Sequence, residues 1–206
     1  MQRGLILDFG GVLTSSIPEA AAGFDRREGL PEGTLMHTVG RHPEGSALFA
    51  QLERGLISQA EWGEQTAELL GVDGADLLPR VLADLQIEPV IAEAAQRARA
   101  AGVRLALLSN STGASPYDSY LGCDLKSMFD VVVLSGQGVA KPDPELYETT
   151  LHQLGLPGDA CVFVDDTARN LPPAQALGIH TVLAAGPAQV IEHVESLLGI
   201  PLRERV

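Results

Sequence analysis

Cysteine, lysine and long apolar runs are all scarce in this 206-residue chain. Its two cysteines, Cys123 and Cys161, form at most one bridge, so a disulfide framework is excluded as the source of stability. Cys161 lies inside an apolar run, where a thiol serves as a small buried hydrophobe. No apolar run, Leu105–Leu108 included, approaches the roughly 20 residues that cross a bilayer. At the N-terminus the run Leu5–Leu7 breaks at Asp8, whereas a secretory leader needs about 7–15 apolar residues. A cytoplasmic location is therefore expected. Basic residues are also in short supply, 14 Lys+Arg against 27 Asp+Glu, for a formal net charge of −13. That field disfavours nucleic acid and anionic membrane surfaces as partners, while a local site can still oppose it for a small anionic substrate.

What is present is ordinary globular composition, 45% hydrophobic and 20% charged. A chain of this length buries roughly 70% of its unfolded surface and needs no staples. Five short runs rich in β-formers stand out: Leu5–Leu7, Val103–Leu108, Val131–Leu134, Cys161–Val164 and Thr181–Leu183. Several are apolar without alternation, as in strands covered on both faces. Helical patterns over Pro89–Ala101, Pro144–Leu154 and Gln189–Leu198 separate the later runs, with Asp143 placed to cap the second. This alternation predicts an α/β fold with a doubly wound parallel sheet. From about Ser16 to Leu85 the rhythm fails, leaving helical segments only. One opens on Ser58-Gln59-Ala60-Glu61, a capping box. The expected organisation is a core of residues 1–15 and 86–206, with residues 16–85 inserted after the first strand as a helical cap over the strand ends.

The polar residues at strand ends carry the chemistry. Asp8 closes the first strand and is followed by Gly10 and Gly11, which let a ligand approach the backbone; Gly10 is a candidate for positive φ. Ser109-Asn110 closes the second strand, Lys141-Pro142 opens a later helix, and Asp165-Asp166 closes another strand. With only two lysines against twelve arginines, a lysine is not the default cation here, and a compact ammonium suits a phosphate clamp. These types suggest phosphoryl transfer with Asp8 as nucleophile. A hard cation such as Mg²⁺ takes oxygen ligands, which Asp8, the Gly10 carbonyl and Asp166 supply, with Asp165 behind them or as an alternative ligand. Lys141, Ser109 and Asn110 then hold the phosphate oxygens. Asn170 either orients Asp166 or is a simple helix residue. The five histidines show no metal-ligand spacing, and Trp62 reads as core of the insertion.

Asp8–Thr14, Ser109-Asn110, Lys141-Pro142 and Val164-Asp165-Asp166 resemble, in order and spacing, the four motifs of the haloacid dehalogenase-like hydrolases. The opening Asp8–Leu13, the segment Leu52–Ser58 and the run Lys141–Pro144 look most like the subgroup containing the amino-terminal phosphatase domain of soluble epoxide hydrolases. The resemblance implies a Rossmann-like core with a helical cap, Mg²⁺ dependence and hydrolysis of small phosphate monoesters by a monomer or homodimer. In one respect the chain departs from that pattern. The family's phosphatases usually carry a second Asp, an acid and base, where this chain has Gly10. General acid–base catalysis is worth roughly 10²–10⁴-fold, so a slow enzyme or another proton donor is expected; Thr14 and Ser15 are poor acids.

Two other readings share these residues. A haloacid dehalogenase uses the same nucleophile without metal, but paired acids beside Asp8 repel a carboxylate substrate. A non-catalytic phosphate- or partner-binding protein would keep Lys141 and Asp166 and has less use for Asp8.

Overall fold

The computed structural model describes residues 2–203. Five strands form where apolar runs were predicted: β1 (Gly4–Leu7), β2 (Arg104–Ser109), β3 (Val131–Leu134), β4 (Cys161–Asp165) and β5 (His180–Leu183). All pair in parallel in the order β3-β2-β1-β4-β5, with Leu5 opposite both Leu105 and Val162. The chain lays β2 and β3 to one side of β1 and then returns to lay β4 and β5 on the other. In open α/β sheets ligands bind at the strands' carboxyl ends, beside such a reversal.

Both sheet faces are covered, which explains the absence of alternation. Leu5, Leu7, Leu105, Leu107, Val162 and Val164 point into one apolar layer, and Ile6, Ala106, Leu108, Cys161 and Phe163 into the other. Between β1 and β2 lie α1 (Ile17–Glu28), α2 (Thr34–Gly40), α3 (Pro43–Glu53), α4 (Gln59–Leu70), α5 (Leu77–Val81) and α6 (Pro89–Ala100). The later helices are α7 (Leu125–Met128), α8 (Pro144–Leu154), α9 (Leu171–Ala176) and α10 (Pro187–Leu198). Helices α6 and α10 cover the first layer through Ile91, Ala95, Val190 and Val194; α8 and α9 cover the second through Leu146, Tyr147 and Ala174. Helix α10 starts two residues before its predicted Gln189, because Pro187 fits a first helical turn, where no backbone N–H is required.

Helices α1 to α5 build a separate core from Phe24, Leu35, Leu48, Leu52, Trp62, Leu70 and Leu77. The capping box forms as read: Ser58 Oγ accepts from Glu61 N and Glu61 Oε2 accepts from Ser58 N, at 3.2 and 2.8 Å. Two adjacent segments tie this helical insertion to the sheet, Ser15 N donating to Gln86 O and Glu88 N to Leu13 O, each at 2.8 Å. No described helix is long and apolar enough to cross a membrane.

Candidate active site

Three adjacent strand ends converge on one buried lysine, Lys141. Asp8 leaves β1 still extended, and its Oδ1 accepts from Phe9 N at 2.7 Å and pairs with Lys141 Nζ at 2.9 Å. The same Nζ reaches Asp165 Oδ2, at the end of β4, at 2.6 Å. Lys141 is only 3% exposed, so this pairing is shielded from water. Its backbone is fixed from β2: Lys141 N donates to Asn110 Oδ1 at 2.7 Å, and Asn110 Nδ2 donates to Lys141 O at 3.2 Å. Asp165 is enclosed, accepting from Thr167 N at 2.8 Å and from Asn170 Nδ2 at 3.0 and 3.1 Å. Asp166 accepts from Thr167 Oγ1 through Oδ1 and presents Oδ2 toward Gly11. Asp8, Asp165 and Asp166 each offer an oxygen within 4.8 Å of the others, and a hard divalent cation fits that oxygen set.

The turn after Asp8 depends on its second glycine. Gly11 sits at φ +69°, and a Cβ there would lie 2.4 Å from Asp166 Oδ2, so neither the backbone nor the space admits a side chain. Gly10, in contrast, has φ −66°, which corrects the expectation of a left-handed residue at that position. Its missing side chain is a chemical difference, with Ile17 Cδ1 lying 3.3 Å from where a Cβ would be.

A family model described as haloacid dehalogenase-like hydrolase matches residues 2–178. The chain belongs to the haloacid dehalogenase-like hydrolases. Mouse acyl-CoA dehydrogenase family member 10 is 32% identical over 97% of this chain, which spans 19% of that protein. Mouse bifunctional epoxide hydrolase 2 is 27% identical over 98% of this chain and 40% of its own length. The chain thus spans less than half of either relative. A phosphoglycolate phosphatase from Colwellia psychrerythraea is 26% identical over 86% of this chain and 82% of its own. A family enzyme from Bacteroides thetaiotaomicron, solved as an aspartate-to-alanine mutant with magnesium and inorganic phosphate, shares the fold. It has a TM-score of 0.70 and 24% identity over 90% of this chain and 96% of that one.

Within this hydrolase the electrostatics of the strand ends oppose one another. Burial pushes the Asp8 carboxyl up to about 7; Lys141 pulls it down, and Asp165 and Asp166 add to the rise. Burial and Asp165 likewise raise Asp166. Burial alone would lower the Lys141 ammonium, but Asp8 and Asp165 reverse this and hold it protonated. A cation between Asp8 and Asp166 would favour the ionised form of both, so the donor set suits Mg²⁺ by charge as well as by atom type.

Several residues take other partners than the sequence suggested. Asn170 binds Asp165 and not Asp166, because its side chain emerges beneath the sheet end where Asp165 is buried. The Asn110 side chain is committed to the Lys141 backbone, leaving Ser109, 3% exposed, as the buried hydroxyl at that strand end. Asp143 precedes α8 without capping it; its carboxylate pairs with Arg54 from the insertion at 2.6 and 3.1 Å. Thr14 Oγ1 is occupied, accepting from Gly11 N and donating to Ser15 O. Trp62 is core of the insertion, as read.

Two residues that motif reasoning did not single out approach the site. Tyr120 is 5% exposed, stacks edge-on against Phe9 at 4.8 Å, and has a buried hydroxyl with no hydrogen-bond partner beside Ser109 and Ser111. Glu53, at the end of α3, is tied to the core through its carbonyl, which accepts from Ser135 Oγ, and burial raises its carboxyl above the ordinary range. Tyr120 lies in a loop without any motif; Glu53 lies in the Leu52–Ser58 segment, whose family likeness was its only signal.

Proposed function

We propose that this chain is a Mg²⁺-dependent hydrolase of small phosphate monoesters, acting through a phosphorylated Asp8 in a cytoplasmic setting. The observation that carries the reading is the buried Lys141 ammonium held between Asp8 and Asp165, with the Asp166 Oδ2 oxygen turned toward the same turn. A carboxylate that attacks a phosphate dianion needs fixed positive charge, and this arrangement supplies it where water is excluded. Asp8 and Asp166, with the Gly10 carbonyl, would hold the ion. When bound, Mg²⁺ screens the charge between Asp8 and the phosphoryl oxygens.

The residues divide the remaining work. Asp8 attacks phosphorus in line with the ester oxygen. Lys141 donates to a phosphoryl oxygen and opposes the rise that burial imposes on the Asp8 carboxyl. Ser109 supplies a hydroxyl donor, and the unpartnered Tyr120 hydroxyl supplies a second. Asp165, Asn170 and Thr167 hold Lys141 in place, and Asn110 fixes its backbone. Residues 16–85 act as the cap over these strand ends. A cavity of about 140 Å³ lies between this cap and the core, lined by Leu52, Ile57, Gln59, Ser111, Thr112 and Ser135 among others and by no charged side chain. It suits an uncharged, hydroxylated leaving group. Two carboxylates beside the nucleophile, Asp165 and Asp166, disfavour the dehalogenase reading, since that substrate is itself a carboxylate.

The test is phosphate release from a panel of sugar phosphates, nucleotides and phosphorylated acids, with Mg²⁺ and with chelator, beside a chloride-release assay on a 2-chloro acid. Release of phosphate that chelator abolishes supports the proposal. Metal-independent chloride release, or no phosphate release from any ester, sinks it.

A further inference from the structure

Lys141 stands on a turn that the core holds from one side. From the end of β2, the Asn110 side chain takes the Lys141 N–H at 2.7 Å and donates to its carbonyl at 3.2 Å. The turn's own bonds run across the lysine. Asp143 N donates to Ala140 O at 2.8 Å, and Asp143 Oδ2 accepts from Ala140 N at 3.2 Å. The Asp143 carboxylate thus straps the turn, and a group that fixes that carboxylate also fixes Lys141.

That group comes from the insertion. Arg54, immediately after α3, sends Nη1 to Asp143 Oδ2 at 2.6 Å and Nη2 to Asp143 Oδ1 at 3.1 Å. The same Nη1 donates to Gly138 O at 2.6 Å, and Arg54 O accepts from Gly138 N at 2.9 Å. Residues 138 and 143 flank Lys141, so one guanidinium grips the turn on both sides of it. A planar fork of fixed donors suits this task better than a point charge on a flexible stem. The neighbours hold the same register. Glu53 O accepts from Ser135 Oγ, and a Cβ on Gly55, at φ +66°, would lie 3.5 Å from Gly136 Cα. Both terminal nitrogens of Arg54 are engaged by the core, which leaves its fork committed to the turn.

We infer that Arg54 is a positioning residue for Lys141: its guanidinium, supplied by the insertion, completes the turn that aims the ammonium at Asp8. Insertion and core therefore assemble the phosphate clamp together. The kinetic consequence rests on the phosphatase reading above; the structural one does not. Lys141 Nζ lies 2.9 Å from Asp8 and 2.6 Å from Asp165, and a turn released on its Arg54 side lets that placement drift. A misplacement of about 1 Å at a reacting centre costs roughly 10²-fold in rate. The Arg54–Asp143 pair is itself about a third exposed and contributes little to global stability, so the two effects separate.

The test compares Arg54→Ala, Asp143→Ala, their double variant and Gln59→Ala by amide hydrogen exchange and by kinetics with Mg²⁺ on 4-nitrophenyl phosphate. Gln59 makes a separate clasp between insertion and core, donating to Thr112 O at 3.0 Å and Tyr117 O at 2.8 Å. In Arg54→Ala, kcat falls roughly tenfold to 10²-fold while KM changes little. Asp143→Ala loses a similar factor, and the double variant loses no more than the worse single one. The peptide spanning residues 138–143 exchanges faster in Arg54→Ala and as in wild type in Gln59→Ala. A raised KM with unchanged kcat would make Arg54 a substrate contact and overturns the inference. Losses that multiply in the double variant, or equally fast exchange over 138–143 in Gln59→Ala, would make it a general tie and also overturn it, as does unchanged exchange in Arg54→Ala. Should Arg54→Ala not fold, Arg54→Lys keeps the charge without the fork and must show the same faster exchange and lower kcat; wild-type behaviour there overturns the inference. A wild-type protein that releases no phosphate overturns the phosphatase reading instead, and the exchange comparison then decides the role of Arg54 alone.

Discussion

Replacing Lys141 with Met removes one charge and keeps most of the side chain's length, so the loss it causes is electrostatic. Lys141 is 3% exposed and its ammonium lies 2.9 Å from Asp8 and 2.6 Å from Asp165, so its removal leaves buried carboxylates without their counter-ion. Breaking a buried pair from one side costs about 3–5 kcal/mol. For a chain of this size each kcal/mol moves Tm by about 2–4 °C, so the fall expected is about 6–20 °C. Asp8 already sits up at about 7 with Lys141 in place, and without it the carboxyl rises further. A carboxyl whose folded pKa exceeds its unfolded value keeps its proton longer in the folded state. Stability then declines as pH rises through that window, and the variant's deficit is larger at about pH 8 than at about pH 5. Thermal unfolding of both proteins, followed by circular dichroism in chelator so that no cation replaces the ammonium, gives the answer. A Tm within about 2 °C of wild type at the higher pH, or a deficit that grows toward acid, refutes the reasoning.

Three further predictions concern the cation, the turn and the cap. Mg²⁺ at about 100 times its Kd should stabilise the protein by about 2.7 kcal/mol, more at high pH than at low because protons compete for the raised Asp8 and Asp166; Asp166→Ala should abolish this shift in a thermal melt. Gly10→Asp should fold, since φ there is −66° and the contact to give way is the tip of Ile17; it should raise kcat/KM for glycerol 2-phosphate more than for 4-nitrophenyl phosphate, because only the alkyl leaving group needs a proton. Arg54→Ala removes a pair between insertion and core that is about a third exposed and worth about 1 kcal/mol or less, so a thermal melt should show Tm barely moved.

The fold was readable because its signals are local. Val131–Leu134 and Pro144–Leu154 have observed bounds equal to the predicted ones, since strands covered on both faces show unbroken apolar runs and Pro144 and Gly155 punctuate the helix. Asp8, Lys141, Asp165 and Asp166 were readable as a set because each ends or follows a strand, and a parallel sheet gathers such ends together. What stayed hidden depends on side-chain direction. Asn110 directly follows β2 and Asn170 follows β4 in the next helical turn, but which group each amide meets follows from packing. Asp143 occupies a capping position, yet its carboxylate turns to Arg54, 89 residues away in sequence, which no local pattern records. Tyr120 reaches the site only through the packing of the loop after β2.

The central claim is that Asp8 becomes phosphorylated, and rapid acid quenching tests it most directly. Wild-type protein mixed with Mg²⁺ and ³²P-labelled aryl phosphate should carry label on the peptide containing Asp8, labile to hydroxylamine as an acyl phosphate is, and Asp8→Asn should carry none. Mg²⁺-dependent phosphate release without label on that peptide, or label retained in the Asn variant, would contradict it.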